Sequence, residues 1–555
     1  MTRLRVALFL LLFASYAYFY QAGGWNQNSR FNLVRAITND RSLQVDPYHR
    51  STGDQALFDG HYYSDKAPGL SFAALPIVAI ARVVLHARGG DAESYEGIAL
   101  LSWLATVFTA GLFTALAAVT LFNLCLELDA TPSGALFAAL TFGLATPMWP
   151  LATLFIGHAF SAACLVFAFA AATRIGVARL TAFAEATAVH RPPSRKATVV
   201  RRSFSEGGSF TRRWKPSRLR SPAKTASSAE ARRSVFGAKA ARYEAGLGLV
   251  VGLAAGWATV SEFPAAVPAV VLAIYAAINA WPLGRERALR ILGALVAGAA
   301  ACAAVLMAYQ YACFGSPFHI AYSSEQSGFE GMQTGVFGIH VPSIAALWRI
   351  LFGRYRGLLP LAPALMFAPL GLIAMIRTPA RRAAIVAMII AVYYVLLNAS
   401  YTYWEGGWSY GPRHLSPAIP FLCLGLARLW TIAPRSARAV LAGFSAYGAA
   451  LSLVGAATMA QPPASFQRPL TELLLPAFRD GDLSLNTQRF TDSGASALRA
   501  HVDPKAAWNL GMKAGLDGHA SLIPLAIVWL VASLLGFTTG RLRCRGPKIV
   551  VDGLS

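Results

Sequence analysis

The chain has 555 residues, of which 55% are hydrophobic and only 14% charged, against roughly 25% charged in an ordinary soluble protein. Its 49 Lys and Arg against 26 Asp and Glu give a formal net charge of +23. A soluble chain this basic would point to nucleic acid, but a chain this apolar points to a lipid bilayer, where basic residues mark cytoplasmic loops, and nucleic acid drops out as a partner.

Apolar runs of about 17–25 residues, long enough to span, are predicted near 5–21, 97–127, 135–152, 157–174, 246–262, 264–282, 289–312, 358–376, 383–399, 415–431, 438–459 and 520–539. The first continues through Tyr16, Tyr18 and Tyr20, which marks an uncleaved anchor rather than a signal peptide. A thirteenth apolar stretch, 69–87, contains Pro76 and carries Arg82, His86 and Arg88 at its end. If it crosses, the basic segments 174–243, 285–290, 377–382, 435–438 and 541–548 all fall outside. If it does not, they all fall inside with Arg3 and Arg5, as the positive-inside tendency requires.

The expected fold is therefore an all-α polytopic membrane protein with about 12 transmembrane helices and both termini cytoplasmic. A large first extracytoplasmic loop, 22–96, contains juxtamembrane helices, with 69–87 lying at the interface. Residues 1–459 form the core, 460–519 an outward-facing segment, and 520–555 the last span with a basic tail. The expected location is a bacterial inner membrane with the active site facing outward.

Residues 174–243 hold 17 Lys and Arg against 3 Asp and Glu without a periodic apolar face, so a disordered cytoplasmic insertion is expected there. Six cysteines, Cys125, Cys164, Cys302, Cys313, Cys423 and Cys544, show no CxxC spacing and read as core thiols. The run Gly246-Leu-Gly-Leu-Val-Val-Gly252 lies inside a span and reads as a helix-packing face, not a dinucleotide loop.

The first outer loop places Asp40, Asp46, Asp54, Asp59 and Asp65 within 26 residues, interleaved with Arg30, Arg35, Arg41, Arg50 and Lys66. A neutral loop dense in both signs suits a polar substrate bearing phosphate. Carboxylates can serve as bases or metal ligands there, and Arg or Lys can neutralise phosphoryl oxygens.

Here the residues resemble a known family. Tyr63-Ser64-Asp65-Lys66-Ala67-Pro68, opening an amphipathic helix after a transmembrane anchor, is similar to a motif of integral-membrane glycosyltransferases of the C-type fold. The branch it resembles holds the protein O-mannosyltransferases and lipid A aminoarabinose transferases. Those enzymes also carry Asp-Glu-x-Arg-Tyr early in this loop, where the present chain has Gln27-Asn28-Ser29-Arg30-Phe31. The order of acid, Lys and Pro is kept at the second place, and the acidic pair is lost at the first.

The resemblance implies transfer of a sugar from a polyprenyl-phosphate-linked donor to an extracytoplasmic lipid, glycan or protein. Arg30 and Lys66 would bind the donor phosphate, and Asp65 would position acceptor or metal. An amide cannot take a proton near neutral pH, so the base is expected at another loop carboxylate, Asp54 or Asp46. The competing expectation is a non-catalytic relative, or a transporter or flippase of lipid-linked sugars.

Further outward residues extend the set. His158 stands where relatives have an Asp, and is expected with Asp65 as a ligand if a divalent metal is used. Arg354 and Arg356 face outward against the positive-inside tendency, which points to phosphate. Residues 399–414 cluster Trp404, Trp408 and Tyr410 around Glu405 and end in Arg413-His414, a composition suited to a sugar.

Overall fold

The computed structural model describes residues 1–189, 223–325, 329–491 and 505–537. From the N-terminus it runs α1 (Thr2–Ala17), β1 (Phe19–Tyr20), α2 (Trp25–Arg35), the hairpin β2 (Gln55–Phe58) and β3 (His61–Ser64), and α3 (Gly69–Ala87). Then come α4 (Tyr95–Glu127), α5 (Pro132–Leu144), α6 (Gly157–Gly176), α7 (Ala241–Ser261), α8 (Phe263–Leu283) and α9 (Arg285–Phe314). The remainder is α10 (Ile344–Phe352), α11 (Pro363–Ile376), α12 (Arg381–Ser400), α13 (Arg413–Ile432), α14 (Arg435–Thr458), β4 (Trp508–Asn509) and α15 (Gly518–Gly536).

Among the described residues ten helices are long and apolar enough to cross a membrane. Nine coincide with expected spans, and the tenth is α3. The other three expected spans are shorter. α1 has 16 residues. The run 135–152 breaks after α5 at Pro147, and the run 358–376 breaks at Pro363, where proline removes the amide that would continue the ladder. The helices flanking the basic insertion continue into it, to Val189 and from Ala223, so its flanks are helical rather than irregular. Residues 190–222 lie outside the described residues, as does Cys544. The other five cysteines are buried and unpaired.

Contacts at the helix ends bear on α3. Trp103 Nε1, near the start of α4, donates to Ala17 O at the end of α1, and the Tyr20 and Ser102 hydroxyls lie 3.1 Å apart. The end of α1 and the start of α4 therefore share one side of the bundle, and the chain between them makes an even number of crossings. α2, at 11 residues, rises only about 16 Å, too short to supply a second crossing. The same contacts place α3, although long and apolar enough to span, on the side where α1 ends and α4 begins. It is tied to α2 there at both ends. Ser71 Oγ donates to Arg30 O, while Arg35 and Arg82 both bind Glu93. α15 likewise runs antiparallel to α1. Tyr18 OH donates to Ser521 O and Trp529 Nε1 to Ser15 Oγ, which brings both described ends of the chain to the same side.

The core is built from close helix contacts. On α7, a Cβ at Gly248 would fall 2.2 Å from Ile291 O, and one at Gly252 would fall 2.0 Å from Leu295 O on α9. The glycine run is a packing face. Gly252→Val should push the two helices apart at a cost of about 1–3 kcal/mol. The expected readout is a lower melting temperature in detergent, followed by thiol-reactive dye labelling of the buried cysteines. An unchanged melting temperature would contradict the packing.

Candidate functional site

α2 carries polar side chains yet is buried from Asn26 to Arg35. Buried polar groups must find partners, and here they do so by stitching distant segments together. Gln27 Nε2 donates to Ala22 O at 2.9 Å while its Oε1 accepts from Phe155 N at 2.8 Å. Asn28 Nδ2 donates to Ser51 O and Arg489 O while its Oδ1 accepts from Gly24 N. An amide offers both a donor and an acceptor, and a carboxylate offers only acceptors. The amides in place of the acidic pair are thus part of the scaffold, and it is Asn26 that faces the cavity. Gln27→Glu should orphan Ala22 O, at about 1–3 kcal/mol, and lower the melting temperature rather than create a base. A melting temperature equal to the wild type's would show the bond to be dispensable.

The hairpin explains how the acidic pair of the site is assembled. Asp59-Gly60 forms its turn, both with positive φ, 51° and 81°. The pairing of Gln55 with Ser64 then sets the residues just beyond them, Asp54 and Asp65, against each other. Lys66 lies between, 3.0 Å from Asp54 Oδ2 and 2.6 Å from Asp65 Oδ2. Asp65 is fully buried, and Ser29 Oγ donates to its other oxygen. Burial pushes the Asp65 carboxyl above the usual range, opposed by the Lys66 charge. Burial pulls Lys66 down, but Asp54 and then Asp65 outweigh it and hold the ammonium well above its ordinary range, so it stays protonated. An isolated bridge between Ala56 and Glu325 brings the Tyr322 ring to 5.6 Å from Lys66 Nζ.

Arg30, 1% exposed, joins three elements. Its Nη2 pairs with Glu262 Oε1 at 2.6 Å, Nη1 donates to Ala67 O, and Nε donates to Asn26 Oδ1. Burial pushes Glu262 above the usual carboxylate range, and Arg30 and Arg413 draw it back. His158, at the start of α6, holds Nδ1 3.7 Å from Glu262 Oε2, and its ring meets that of His414 at 5.1 Å. Gly406 and Gly407, both with positive φ, turn the chain sharply beneath Arg413, whose Cγ would lie 3.0 Å from a Cβ at position 406. Among the described residues nothing hydrogen-bonds the buried Nε of Arg413, and no carboxylate pairs with its guanidinium.

Two chambers result. The inner one, about 120 Å³, is lined by Arg30, Asp54, Lys66, His158, Glu262, Tyr322, Arg413 and His414, among others. The outer one, about 470 Å³, is lined by Trp25, Phe329, Tyr403, Trp408, Gln461 and Gln488. They meet at Asn26, Asp54, Phe329, Tyr403, Glu405, Gly407 and Arg413, which line both. The helices that bring residues to the chambers carry arginines at their far ends. Examples are Arg174 on α6, Arg242 on α7 and Arg382 on α12.

The structure thus gathers Asp54, Lys66, Arg30, His158, Glu405, Trp408, Arg413 and His414 around one cleft, with Asp65 directly behind Lys66. Others lie elsewhere. Asp46 is half-exposed and outside both chambers, where its carboxylate takes Tyr62 N and His61 Nδ1 to brace the hairpin. Arg356 is buried beneath the loop, donating to Glu405 O and Pro462 O, and burial draws its pKa down to about 10. Arg354 is exposed beside a separate cavity of about 20 Å³. Outward arginines need not face phosphate when backbone carbonyls require donors. Trp404 stacks under Arg349 away from the chambers, and Tyr410 packs in the core against Gly455.

For a metal the described donor set is sparse. Asp65 is already held by Lys66 and Ser29, and among the described residues no three His, Cys, Asp or Glu side chains converge on a cation position. Sequence reasoning missed Asn26, Tyr322, Phe329, Gln461 and Gln488, which carry no motif. It also missed the hairpin, which the Asp-Gly turn signals.

No family model matches the chain, and no curated protein matches it. Among solved structures it is similar to ArnT from Cupriavidus metallidurans bound to undecaprenyl phosphate. That match has 14% identity and a TM-score of 0.45, over 97% of this chain and 75% of that one. It is also similar to the archaeal oligosaccharyltransferase AglB from Archaeoglobus fulgidus, in complex with an inhibitory peptide and a dolichol-phosphate. There the identity is 12% and the TM-score 0.41, over 84% of this chain and 57% of that one. At these values the likeness assigns no role to any residue.

Proposed function

We propose that the protein is an integral-membrane glycosyltransferase that moves a sugar from a polyprenyl-phosphate-linked donor to an acceptor outside the cytoplasm. The observation that carries this reading is the meeting of the two chambers at Asp54 and Arg413. A carboxylate with one oxygen outside its ion pair and a cation without a carboxylate partner among the described residues line the same junction.

The acceptor enters through the outer chamber and gives its proton to Asp54. Its oxygen bonds to the anomeric carbon as the bond from that carbon to the phosphate oxygen breaks, and the electron pair leaves with the phosphate. The charge that develops there faces Arg413, with Lys66 and Arg30 behind it. Preorganised cations in a water-poor site stabilise such charge far better than they would in bulk water.

Lys66 and Arg30 are both neutralised by carboxylates, which makes them positioning groups and leaves Arg413 as the main anchor. His158 and His414 border the inner chamber. Basic residues at the helix ends opposite the chambers support a cytoplasmic placement of those ends and an outward-facing site, with both termini inside, in a bacterial inner membrane. Residues 1–459 form the catalytic core, and 460–519 close the outer chamber through Gln461 and Gln488.

The test is transfer in proteoliposomes from radiolabelled polyprenyl-phosphate sugars to a panel of lipid, glycan and peptide acceptors. Labelled product with release of polyprenyl phosphate is expected. Absence of product from every donor, together with transbilayer movement of the intact donor, would overturn the reading in favour of a flippase.

A further inference from the structure

The outer chamber differs in kind from the inner one. At about 470 Å³ it falls within the roughly 300–1,000 Å³ of small-ligand sites. Its wall combines the indoles of Trp25 and Trp408 and the rings of Phe329 and Tyr403 with the amides of Gln461 and Gln488. The charged groups that line it, Asp54, Glu405 and Arg413, all sit at the junction with the inner chamber.

The aromatic wall is rigid. Trp25 meets Phe329 edge-to-face at 6.2 Å, and Phe329 meets Tyr403 edge-to-face at 5.2 Å. The Trp25 indole is held from behind by the backbone at Gly53, where a Cβ would fall 2.6 Å from the ring. Gln488 is 5% exposed and lines the chamber.

Such a wall selects by chemistry. Flat rings stack on the C–H faces of a sugar, and amides, which both donate and accept, match hydroxyls that do the same. A phosphorylated acceptor would need cations. Apart from Arg413 at the junction, the described lining of the chamber offers none. An extended peptide would need a free strand edge, and none of the chamber's lining residues belongs to a strand.

We propose that the outer chamber is an acceptor subsite for a neutral saccharide, stacked on Trp25 and Trp408 with Gln488 on its hydroxyls and one hydroxyl directed at Asp54. This rests on the glycosyl-transfer reading above. In the transfer, the hydroxyl proton goes to Asp54, its oxygen forms the new glycosidic bond, and polyprenyl phosphate departs with the electron pair of the broken bond.

The test uses the full chain in detergent and in proteoliposomes. Binding of neutral methyl-glycoside disaccharides is followed by quenching of tryptophan fluorescence and by saturation-transfer NMR, with a phosphorylated glycolipid and a Ser/Thr peptide as comparators. Transfer to each is measured in parallel. The expected result is binding and glycosylation of a neutral disaccharide. Trp408→Ala should raise the acceptor KM tenfold or more at unchanged donor KM, Trp408→Phe should recover most of it, and Gln488→Leu should raise it severalfold.

Transfer to the phosphorylated lipid or the peptide alone, or an equal effect of Trp408→Ala on both substrates, would overturn the assignment. Saccharide binding without transfer from any donor would support this chamber's ligand while sinking the transferase reading.

Discussion

Arg413→Ala should reduce sugar transfer by about 30- to 1,000-fold while leaving the melting temperature close to that of the wild type. The size follows from charge-assisted hydrogen bonds to a leaving phosphate, roughly 2–4 kcal/mol in all, at 1.36 kcal/mol per decade of rate. The separation from stability follows from the geometry. No carboxylate pairs with Arg413 among the described residues, so its removal strands no buried charge.

Arg30 supplies the contrast. Its loss would leave Glu262 buried without its 2.6 Å partner, at about 3–5 kcal/mol of stability. Arg30→Ala should therefore lower both activity and melting temperature. Arg413→Lys keeps the charge but loses the two-pronged donor, and should fall between wild type and Ala. Donor titrations in proteoliposomes and thermal melts in detergent read the two quantities separately. An Arg413→Ala enzyme with wild-type turnover would remove the arginine from the phosphate site.

Asp54→Asn should reduce kcat by about 100- to 10,000-fold, the range of a positioned general base, with little change in donor affinity. The substitution keeps the side-chain shape, and Lys66 keeps Asp65 at 2.6 Å, so the ammonium remains compensated. Asp46→Asn should remain within about twofold of wild type. Its carboxylate braces Tyr62 N and His61 outside the chambers, and such surface ties contribute at most about 1 kcal/mol. Single-turnover measurements at saturating donor separate the chemical step from binding. Retention of more than a third of the wild-type rate in Asp54→Asn would exclude it as the base.

Asp54 and Asp46 also show what the sequence could and could not tell. In composition they are equivalent, two aspartates in one neutral loop. What separates them is the register of a hairpin, in which Gln55 opposite Ser64 sends Asp54 toward Lys66 while Asp46 remains at the other side of the fold. The spans were legible because an apolar run announces itself without tertiary information. For α3 the sequence offers two signals that pull apart: its length and apolarity suit a span, while the basic segments share one side only if it does not cross, a reading with which the bond from Trp103 to Ala17 is compatible.

The segment Asp65-Lys66 and the loop bearing Glu405 and Arg413 were legible as polar residues concentrated at span ends. The roles of Gln27 and Asn28 were not. Whether an amide is a missing base or a structural tie depends on Ala22, Phe155 and Arg489, the last 461 residues away from Asn28. Arg356 misled for the same reason, since its guanidinium answers two backbone carbonyls rather than a ligand.

That distance of 461 residues has a consequence in time. Asn28 cannot reach Arg489, nor Gln21 be reached by Asn486, until almost the whole chain has left the ribosome. At about 5–20 residues per second this is a wait of roughly 20–90 s. Throughout it the start of the first loop is already synthesised, with the Asn28 amide lacking Arg489 and Gln21 O lacking Asn486. Either water or an insertion chaperone must occupy those groups meanwhile. The first loop is thus made early but completed last, and a nascent chain stalled before residue 486 would display a full set of early spans around an unfinished cleft.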